Sequence, residues 1–408
     1  MHQKTYCKKE EPKSMFHRPI IMHLAPYGKS RYYLLHIKRI NNIKLYSKES
    51  FMSSKISPEN PLGVLAIDHL EFTCDSLETK TKDLFYTFGF SKTYENQEEK
   101  KELFSQGQVR FLLTANESGH AREYLNAHGE GVSTISFLVE DCEYAYKTAL
   151  ERGAESLQEV ITTESEHGVY KSARIKGFGD VANEFIERPK AYFRPDFKKL
   201  EEDPKAQPLA SRVARIDHLT NNVPKGEMKK WVEFYDRVYG FKVTRYFDIK
   251  GSKTGLNSEV VQLPKGEVII PINEPKEAGG KDQIQEFLDL HKGAGVQHIA
   301  LTCGDILSTV KDLRQRDIKF LDIPHTYYED IPKRNFTVTE DLSELEDRQL
   351  LVDGDEEGYL IQNFTQTYVG PLFFEFIQRK NHNGFGEGNF QALFDAIERD
   401  QIARGYLD

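Results

Sequence analysis

Short runs in which apolar and polar residues alternate occur throughout the chain after residue 60, with helical patterns between them. A period of two is typical of strands, whereas apolar residues spaced three and four apart are typical of helices. In the first half the predicted strands are GVLAIDHLEFTC (63–74), VRFLLTA (109–115) and STISFLVED (133–141). The predicted helices there are SLETKTKDLFYTFGF (76–90) and CEYAYKTALERGA (142–154), each with a glycine near its end.

The second half contains the same kinds of element in the same order. Its predicted strands are VARIDHLTNNV (213–223), EVVQL (259–263), EVIIPIN (267–273), VQHIALTC (296–303), YLIQNFTQ (359–366) and PLFFEFIQR (371–379). Its predicted helices are MKKWVEFYDRVYGF (228–241), ILSTVKDLRQRD (306–317) and a final amphipathic helix at 389–406. These patterns predict an α+β chain of repeated βαβββ units, in which each half forms a curled mixed sheet with outer helices.

The domain organisation follows from this repeat. We predict a first domain at 61–188 and a second domain at 213–408, joined by a linker at 189–212 that contains four prolines. Residues 1–60 are different, because they hold twelve Lys and Arg against four Asp and Glu. We interpret them as a dispensable leader, disordered or translated from an upstream start, with Met52 as a plausible alternative start; a functional basic arm is the other reading.

When the two halves are overlaid, they differ in their potential metal ligands. RIDHL matches AIDHL, GAGVQHIAL matches GEGVSTISF, and FFEFIQR matches ANEFIER. His218 therefore matches His69, Glu375 matches Glu184, and His298 matches Thr134. A lone strand histidine is more often an ordinary core residue, but His218, His298 and Glu375 together are the two-histidine, one-carboxylate set of non-haem Fe(II) oxygenases. We expect His69 not to bind metal, because its partner has been replaced.

Composition narrows the functional classes. The 408-residue chain has a formal net charge of −9, which argues against a nucleic-acid-binding protein. Its four widely separated cysteines lack zinc-site spacing, so we expect a reducing cytoplasmic location and no disulfide framework. No apolar run approaches the roughly 18–20 residues of a membrane span.

Together the motifs DHL, GLNSEVVQLP, GAGVQHIAL, FFEFIQR and GFGEGNF strongly resemble 4-hydroxyphenylpyruvate dioxygenase, a family of the vicinal-oxygen-chelate superfamily. The resemblance covers residues 61 to about 407. It implies two tandem vicinal-oxygen-chelate domains and one Fe(II) per chain, bound by His218, His298 and Glu375. The implied reaction converts a small 2-oxo acid, 4-hydroxyphenylpyruvate, and O₂ to homogentisate and CO₂ in tyrosine breakdown. A homo-oligomer, dimeric or tetrameric, is also expected.

The resemblance also implies a set of pocket residues. Those expected to act at the reacting centre are Gln283, Gln297, Gln362, Phe364, Phe385, Asn389 and Phe390. Those expected to bind substrate are Ser258, Pro271, Asn273 and Phe373. Phe385 and Phe390 match the aromatic pair that sandwiches the substrate ring. The Gly-rich segment 382–389 predicts a hinge that lets helix 389–406 gate the pocket, although a plain turn is the simpler reading.

Three alternatives remain at this stage. Hydroxymandelate synthase uses the same substrate and ligands but tends to carry a smaller aliphatic residue at the position of Phe390. A non-catalytic binding protein of the same fold would lack the full ligand set. A metal-dependent isomerase or lyase would usually need a fourth ligand or an additional base, and the motifs indicate none.

Overall fold

The computed structural model of the chain describes residues 56–264, 266, 268–277 and 281–407. Most of the predicted leader at 1–60, including Met52, lies outside these residues. The described chain forms two mixed sheets, one in each half, with helices packed around them.

The first sheet has nine strands and three associated helices. Its strands are β1 (Val64–Thr73), β2 (Ser91–Asn96), β3 (Lys101–Gln106), β4 (Val109–Thr114), β5 (Gly131–Val139), β6 (Ser156–Ser165), β7 (Gly168–Lys176), β8 (Ala182–Glu187) and β9 (Lys198–Lys199). Its helices are α1 (Lys80–Thr87), α2 (His120–His128) and α3 (Cys142–Glu151). The strand order is β6-β7-β8-β5-β1-β4-β3-β2-β9, in which β1 pairs with β4 and β5 with β8 in parallel.

The second sheet has eight strands and repeats the same topology. Its strands are β10 (Val213–Asn222), β11 (Lys242–Lys250), β12 (Gly255–Gln262), β13 (Ile269–Pro275), β14 (Gly295–Cys303), β15 (Leu351–Gly354), β16 (Tyr359–Phe364) and β17 (Phe373–Lys380). The helices are α4 (Met228–Phe234), α5 (Gln283–His291), α6 (Ile306–Gln315), α7 (His325–Asp330), α8 (Leu342–Asp347) and α9 (Glu387–Ala403). The strand order is β11-β12-β13-β10-β14-β17-β16-β15. It matches the order of the first sheet read in the opposite direction, from β2 to β6, so that β11 corresponds to β2 and β15 to β6. Strand β9 has no counterpart.

This duplicated βαβββ architecture confirms the predicted fold class. Buried side chains form one continuous apolar core through both halves. At the junction, Phe88 at the end of α1 meets Phe374 and Phe376 of β17 edge-on, with ring centroids 4.9 and 5.4 Å apart. Such aromatic pairs bury large apolar areas, so the two halves stabilise each other.

Several elements were absent from the sequence prediction. The segment at 189–212 is more than a linker, because Lys198–Lys199 adds strand β9 to the edge of the first sheet beside β2. Strand β11 was missed because most of its residues are exposed, which hides the alternation that marks a half-buried strand. The helix predicted at 228–241 ends in a π-helical turn at Tyr235–Tyr239, closed by Gly240 with a φ of 76°. The helix predicted at 389–406 is observed as α9, and its gating role stays a prediction.

Candidate active site

Strand register brings the three predicted metal ligands onto one face of the second sheet. Ala300 of β14 pairs with His218 of β10 on one side and with Glu375 of β17 on the other. His298 lies two residues before Ala300, and side chains two apart on a strand share a face. Residues that are about 80 positions apart in sequence therefore converge at the centre of the curled sheet.

The donor atoms of these three side chains are close enough to share one ion. Glu375 Oε2 lies 3.2 Å from His218 Nε2 and 3.5 Å from His298 Nε2, and the two Nε2 atoms are 3.4 Å apart. Ligands about 2.1 Å from a first-row metal and at right angles to each other are separated by about 3 Å. The observed triangle fits three neighbouring corners of an octahedron, with three corners left for other ligands.

Hydrogen bonds fix the orientation of both histidine rings. Asp217 Oδ1 lies 2.9 Å from His218 Nδ1, and Arg379 holds Asp217 through contacts of 2.7 and 2.8 Å. Gln297 Oε1 lies 3.0 Å from His298 Nδ1. A proton on each Nδ1 leaves the Nε2 lone pair free for a metal, as is usual for metal-binding histidines.

The carboxylate of Glu375 is ionised despite its burial. Burial alone would raise its pKa, but His218 and His298 outweigh that effect and lower the pKa to about 2. Its second oxygen, Oε1, accepts a hydrogen bond of 2.9 Å from Gln362 Nε2. Glu375 can therefore offer Oε2 to a metal while Gln362 holds Oε1 in place.

Gln362 belongs to a chain of hydrogen bonds that runs to α9. Its Oε1 accepts from Asn389 Nδ2 at 2.9 Å, and Asn389 Oδ1 accepts from Tyr327 OH at 2.6 Å. In this structure Gln362 and Asn389 thus act on Glu375 rather than pointing freely into the pocket. The Gly-rich segment permits this arrangement, because Gly386 has a φ of 76° and a Cβ there would collide with the Gln362 amide.

A narrow pocket of about 20 Å³ adjoins His298 and is roofed by α9. It is lined by Ile249, Leu256, Asn273, Gln283, Gln297, His298, Phe373, Phe390, Leu393, Phe394 and Ile397. A second hollow of about 400 Å³ shares Gln283, Gln297, Phe373 and Ile397 with this pocket and lies closer to the surface. The helix α9 therefore covers the space beside His298.

Of the predicted substrate-binding residues, Asn273 and Phe373 line this pocket, whereas Ser258 and Pro271 are not among its lining residues. Ser258 of β12 pairs with Asn273 of β13, and Pro271 lies two residues before Asn273 on the same strand face. Ser258 Oγ and Asn273 Oδ1 are buried and have no hydrogen-bond partner among the described residues. Because unpaired buried polar atoms are costly, we read both as groups available to a polar substrate.

The predicted aromatic residues surround the histidine ligands. Phe373 stacks on His298 with centroids 4.8 Å apart, and Phe364 approaches the same ring edge-on at 6.3 Å. Phe385 meets His218 edge-on at 5.7 Å. Phe390 stacks on Phe247 of β11 at 4.7 Å. The sequence analysis did not predict Phe247, because it did not predict strand β11. Only the spacing of apolar residues in the run YFDI could have suggested this residue.

Comparison with known proteins identifies the family of the chain. The family model described as hydroxyphenylpyruvate dioxygenase, N-terminal, matches residues 58–193, and that of the glyoxalase, bleomycin resistance protein and dioxygenase superfamily matches 215–332. The 4-hydroxyphenylpyruvate dioxygenase of Pseudomonas aeruginosa is 37% identical over 360 residues, which cover 87% of this chain and 99% of the relative. The chain belongs to the 4-hydroxyphenylpyruvate dioxygenase family. The protein MelA of Shewanella colwelliana is 40% identical over 354 residues, covering 86% of this chain and 99% of MelA.

A solved structure supports the fold of this dioxygenase family member. A mutant of 4-hydroxymandelate synthase from Streptomyces coelicolor superposes with a TM-score of 0.72 over 82% of this chain and 98% of its own. At 24% identity this likeness establishes the fold alone. None of the helices in the described ranges has the length and hydropathy that a membrane crossing requires.

The first half of this dioxygenase-family chain contains some of the side-chain contacts that surround the candidate metal ligands of the second half. His69 Nδ1 lies 2.9 Å from Asp68, and Arg188 holds Asp68 as Arg379 holds Asp217. Thr134 occupies the position of His298, and Arg174 fills the space by pairing with Glu184 at 3.1 Å and Glu71 at 3.2 Å. Within the described ranges, the three-residue metal-ligand cluster of the second half has no equivalent here. An ion-pair network around Arg174 occupies the corresponding position.

Proposed function

We propose that this protein is an Fe(II)-dependent dioxygenase that converts 4-hydroxyphenylpyruvate and O₂ to homogentisate and CO₂. The observation that carries the proposal is the buried triangle of His218, His298 and Glu375, with edges of 3.2–3.5 Å. Relatives that bear the name 4-hydroxyphenylpyruvate dioxygenase and align over almost their whole length support the choice of substrate.

The donor set fits Fe(II). Two imidazoles and one carboxylate suit a divalent iron with open positions, whereas structural zinc sites are usually closed by four ligands. Bound Fe(II) would hold the 2-oxo acid and supply the activation of O₂ for oxidative decarboxylation and ring hydroxylation. With one carboxylate among the ligands, the site keeps a positive charge that attracts an anionic substrate.

The protein groups in the pocket divide into polar and apolar sets. Asn273 in the pocket and its neighbour Ser258 on β12 offer unpaired polar atoms. Gln283 and Gln297 offer neutral amides, which can hydrogen-bond a phenol or a keto acid without adding charge. Phe390 with the apolar face of α9 excludes water and confines the aromatic ring.

The second candidate reaction is that of 4-hydroxymandelate synthase, which shares the fold. Its benzylic hydroxylation requires the substrate to sit differently against the same ligands. Here Phe390 is backed by Phe247, with ring centroids 4.7 Å apart, so the wall on the α9 side is bulky and supported. This favours ring hydroxylation and homogentisate as the product. A non-catalytic binding role is disfavoured by the complete ligand triad.

We place the enzyme in tyrosine breakdown and in the cytoplasm, acting on a small molecule rather than on nucleic acid or membrane. We also propose a homo-oligomer, which sedimentation or light scattering would test directly.

The deciding experiment is anaerobic reconstitution with Fe(II), followed by 4-hydroxyphenylpyruvate and O₂, with the product identified by mass and chromatography. The His298→Ala variant is the matched control, because it removes one ligand and leaves the pocket walls in place. We expect homogentisate from the parent protein and no turnover from the variant. Formation of 4-hydroxymandelate, or equal turnover by His298→Ala, would overturn the proposal.

A further inference from the structure

A segment at residues 316–350 distinguishes the second half of the chain from the first. It joins α6 to β15 and contains α7 and α8, whereas the short stretch 152–155 joins the corresponding α3 to β6. Tyr327 of α7 lies in this segment and is 9% exposed. Its hydroxyl contacts Asn389 at the start of α9, so the segment reaches the chain of hydrogen bonds that ends at Glu375.

The surroundings of the Tyr327 hydroxyl decide where its single proton goes. The hydroxyl oxygen accepts a hydrogen bond of 2.7 Å from Val352 N. It lies 2.6 Å from Asn389 Oδ1 and 2.9 Å from Val352 O, and a phenol can donate to only one of these two acceptors. Arg334 Nη1 donates to Val352 O and already satisfies it. Among the described residues, Asn389 Oδ1 has no donor other than Tyr327, so the proton belongs to that bond.

This proton sets the orientation of two buried amides. With Oδ1 held towards Tyr327, Asn389 turns Nδ2 towards Gln362 Oε1, at 2.9 Å. Gln362 then presents Nε2 to the other side, where it donates to Glu375 Oε1 at 2.9 Å and to Phe385 O at 3.1 Å. A reversed amide would place two acceptor oxygens, those of Gln362 and Glu375, against each other in a buried site. The direction of this relay, from Tyr327 to Glu375, is therefore set at Tyr327.

Two neighbours of Tyr327 separate this role from ordinary packing. The Arg334 guanidinium lies 4.7 Å from the centroid of the Tyr327 ring, and its Nη1 is 3.3 Å from the hydroxyl oxygen. Tyr328, the next residue of α7, is buried as well, but its hydroxyl has no hydrogen-bond partner among the described residues. Of two adjacent buried tyrosines, only Tyr327 is therefore connected to the candidate metal ligands.

We propose that Tyr327 is a positioning residue for the metal centre and that Arg334 directs its proton. Tyr327 fixes the two amides of the relay, and these occupy Glu375 Oε1 and leave Oε2 for the metal. Asn389 belongs to α9 and Tyr327 to α7, so the relay is complete only when the first turn of α9 is docked. This inference rests on the metal centre of the proposed function, because it concerns one of its ligands.

Anaerobic titration of the full chain with Fe(II) tests the proposal without relying on turnover. Tyr327→Phe keeps the ring and removes the proton, so we expect Fe(II) to bind roughly three- to tenfold more weakly, the value of one hydrogen bond. Tyr328→Phe is the matched control, because it removes a neighbouring buried hydroxyl outside the relay and should bind Fe(II) as the parent does. Parental affinity in Tyr327→Phe, or an equal loss in Tyr328→Phe, would overturn this inference and leave the metal centre standing. Absence of Fe(II) binding by the parent protein would overturn both.

A double variant distinguishes positioning from a loss of packing. Gln362→Ala cuts the relay next to Glu375, so adding Tyr327→Phe to it should weaken Fe(II) binding no further. Arg334→Gln repeats the comparison should Tyr327→Phe not fold, because it frees Val352 O to compete for the Tyr327 proton. It should weaken Fe(II) binding in the parent but not in Gln362→Ala. A residue that only stabilises the fold would lower the affinity by the same factor with and without the Gln362 amide, and that result would refute the positioning role.

Discussion

Glu398 provides the sharpest test of whether α9 gates the metal pocket. Its side chain is 4% exposed and accepts bonds from the turn that joins β11 to β12. The donors are Ser252 N at 2.9 Å, Ser252 Oγ at 2.6 Å, and Lys253 N, Thr254 N and Thr254 Oγ1 at 3.0 Å. Because β11 carries Phe247 and β12 carries Ser258, this carboxylate fastens the helix to the opposite wall of the pocket.

The magnitude of a Glu398→Gln substitution follows from these contacts. An amide nitrogen must replace one carboxylate oxygen, so it faces the backbone N–H of Ser252 or those of Lys253 and Thr254. At least one buried donor then loses its partner, at a cost of about 1–3 kcal/mol. If this loss destabilises only the conformation in which α9 is closed, the ratio of closed to open protein drops by roughly 5- to 150-fold.

The assay compares kcat/KM for 4-hydroxyphenylpyruvate and the ratio of O₂ consumed to product formed. We expect Glu398→Gln to raise KM and to uncouple O₂ consumption, because water reaches an open pocket. Asp400→Asn is the matched control, since Asp400 lies on the same helix in an exposed ion pair with Arg404, and such pairs contribute little. A Glu398→Gln variant with parental KM and full coupling would show that this contact does not hold the helix closed.

Three further predictions follow from the site. His298→Ala should abolish iron binding, whereas His69→Ala should leave the iron content unchanged, because an ion-pair network already fills that half; iron loss in both variants would contradict this. Phe390→Ile should form a substantial share of 4-hydroxymandelate, because a change of about 1.4 kcal/mol in the relative barrier changes the product ratio tenfold. An unchanged yield of homogentisate would show that Phe390 only packs and does not select the product. Asn389→Ala removes the donor to Gln362 and should weaken Fe(II) affinity by roughly tenfold or more, as measured by metal titration, and parental affinity would argue against the relay to Glu375.

Local sequence patterns were sufficient for the fold class but not for the complete sheets. The strands that carry His218, His298 and Glu375 are buried, so their apolar runs were readable from the sequence. Strand β11 is mostly exposed and β9 is two residues long, so neither has a clear periodic signal. Strand β9 is defined only by its pairing with β2, about 100 residues earlier in the sequence, whereas β11 pairs with the next strand, β12, and lacks only the alternation that burial of one face produces.

The functional site was likewise predictable in part from local sequence and in part only from the tertiary structure. The repeat, read as a sequence, determined which residues form the candidate metal-ligand triad in one half and that Thr134 breaks the set in the other half. Only the tertiary structure decided that Gln362 supports Glu375, that Phe247 backs Phe390, and that Arg174 fills the lost site. The physical reason is that the identity of the ligands depends on residue type and on which face of a strand each residue occupies. Both are local properties of the sequence. Hydrogen-bond partners and ring contacts depend on strand register and helix docking across the whole chain.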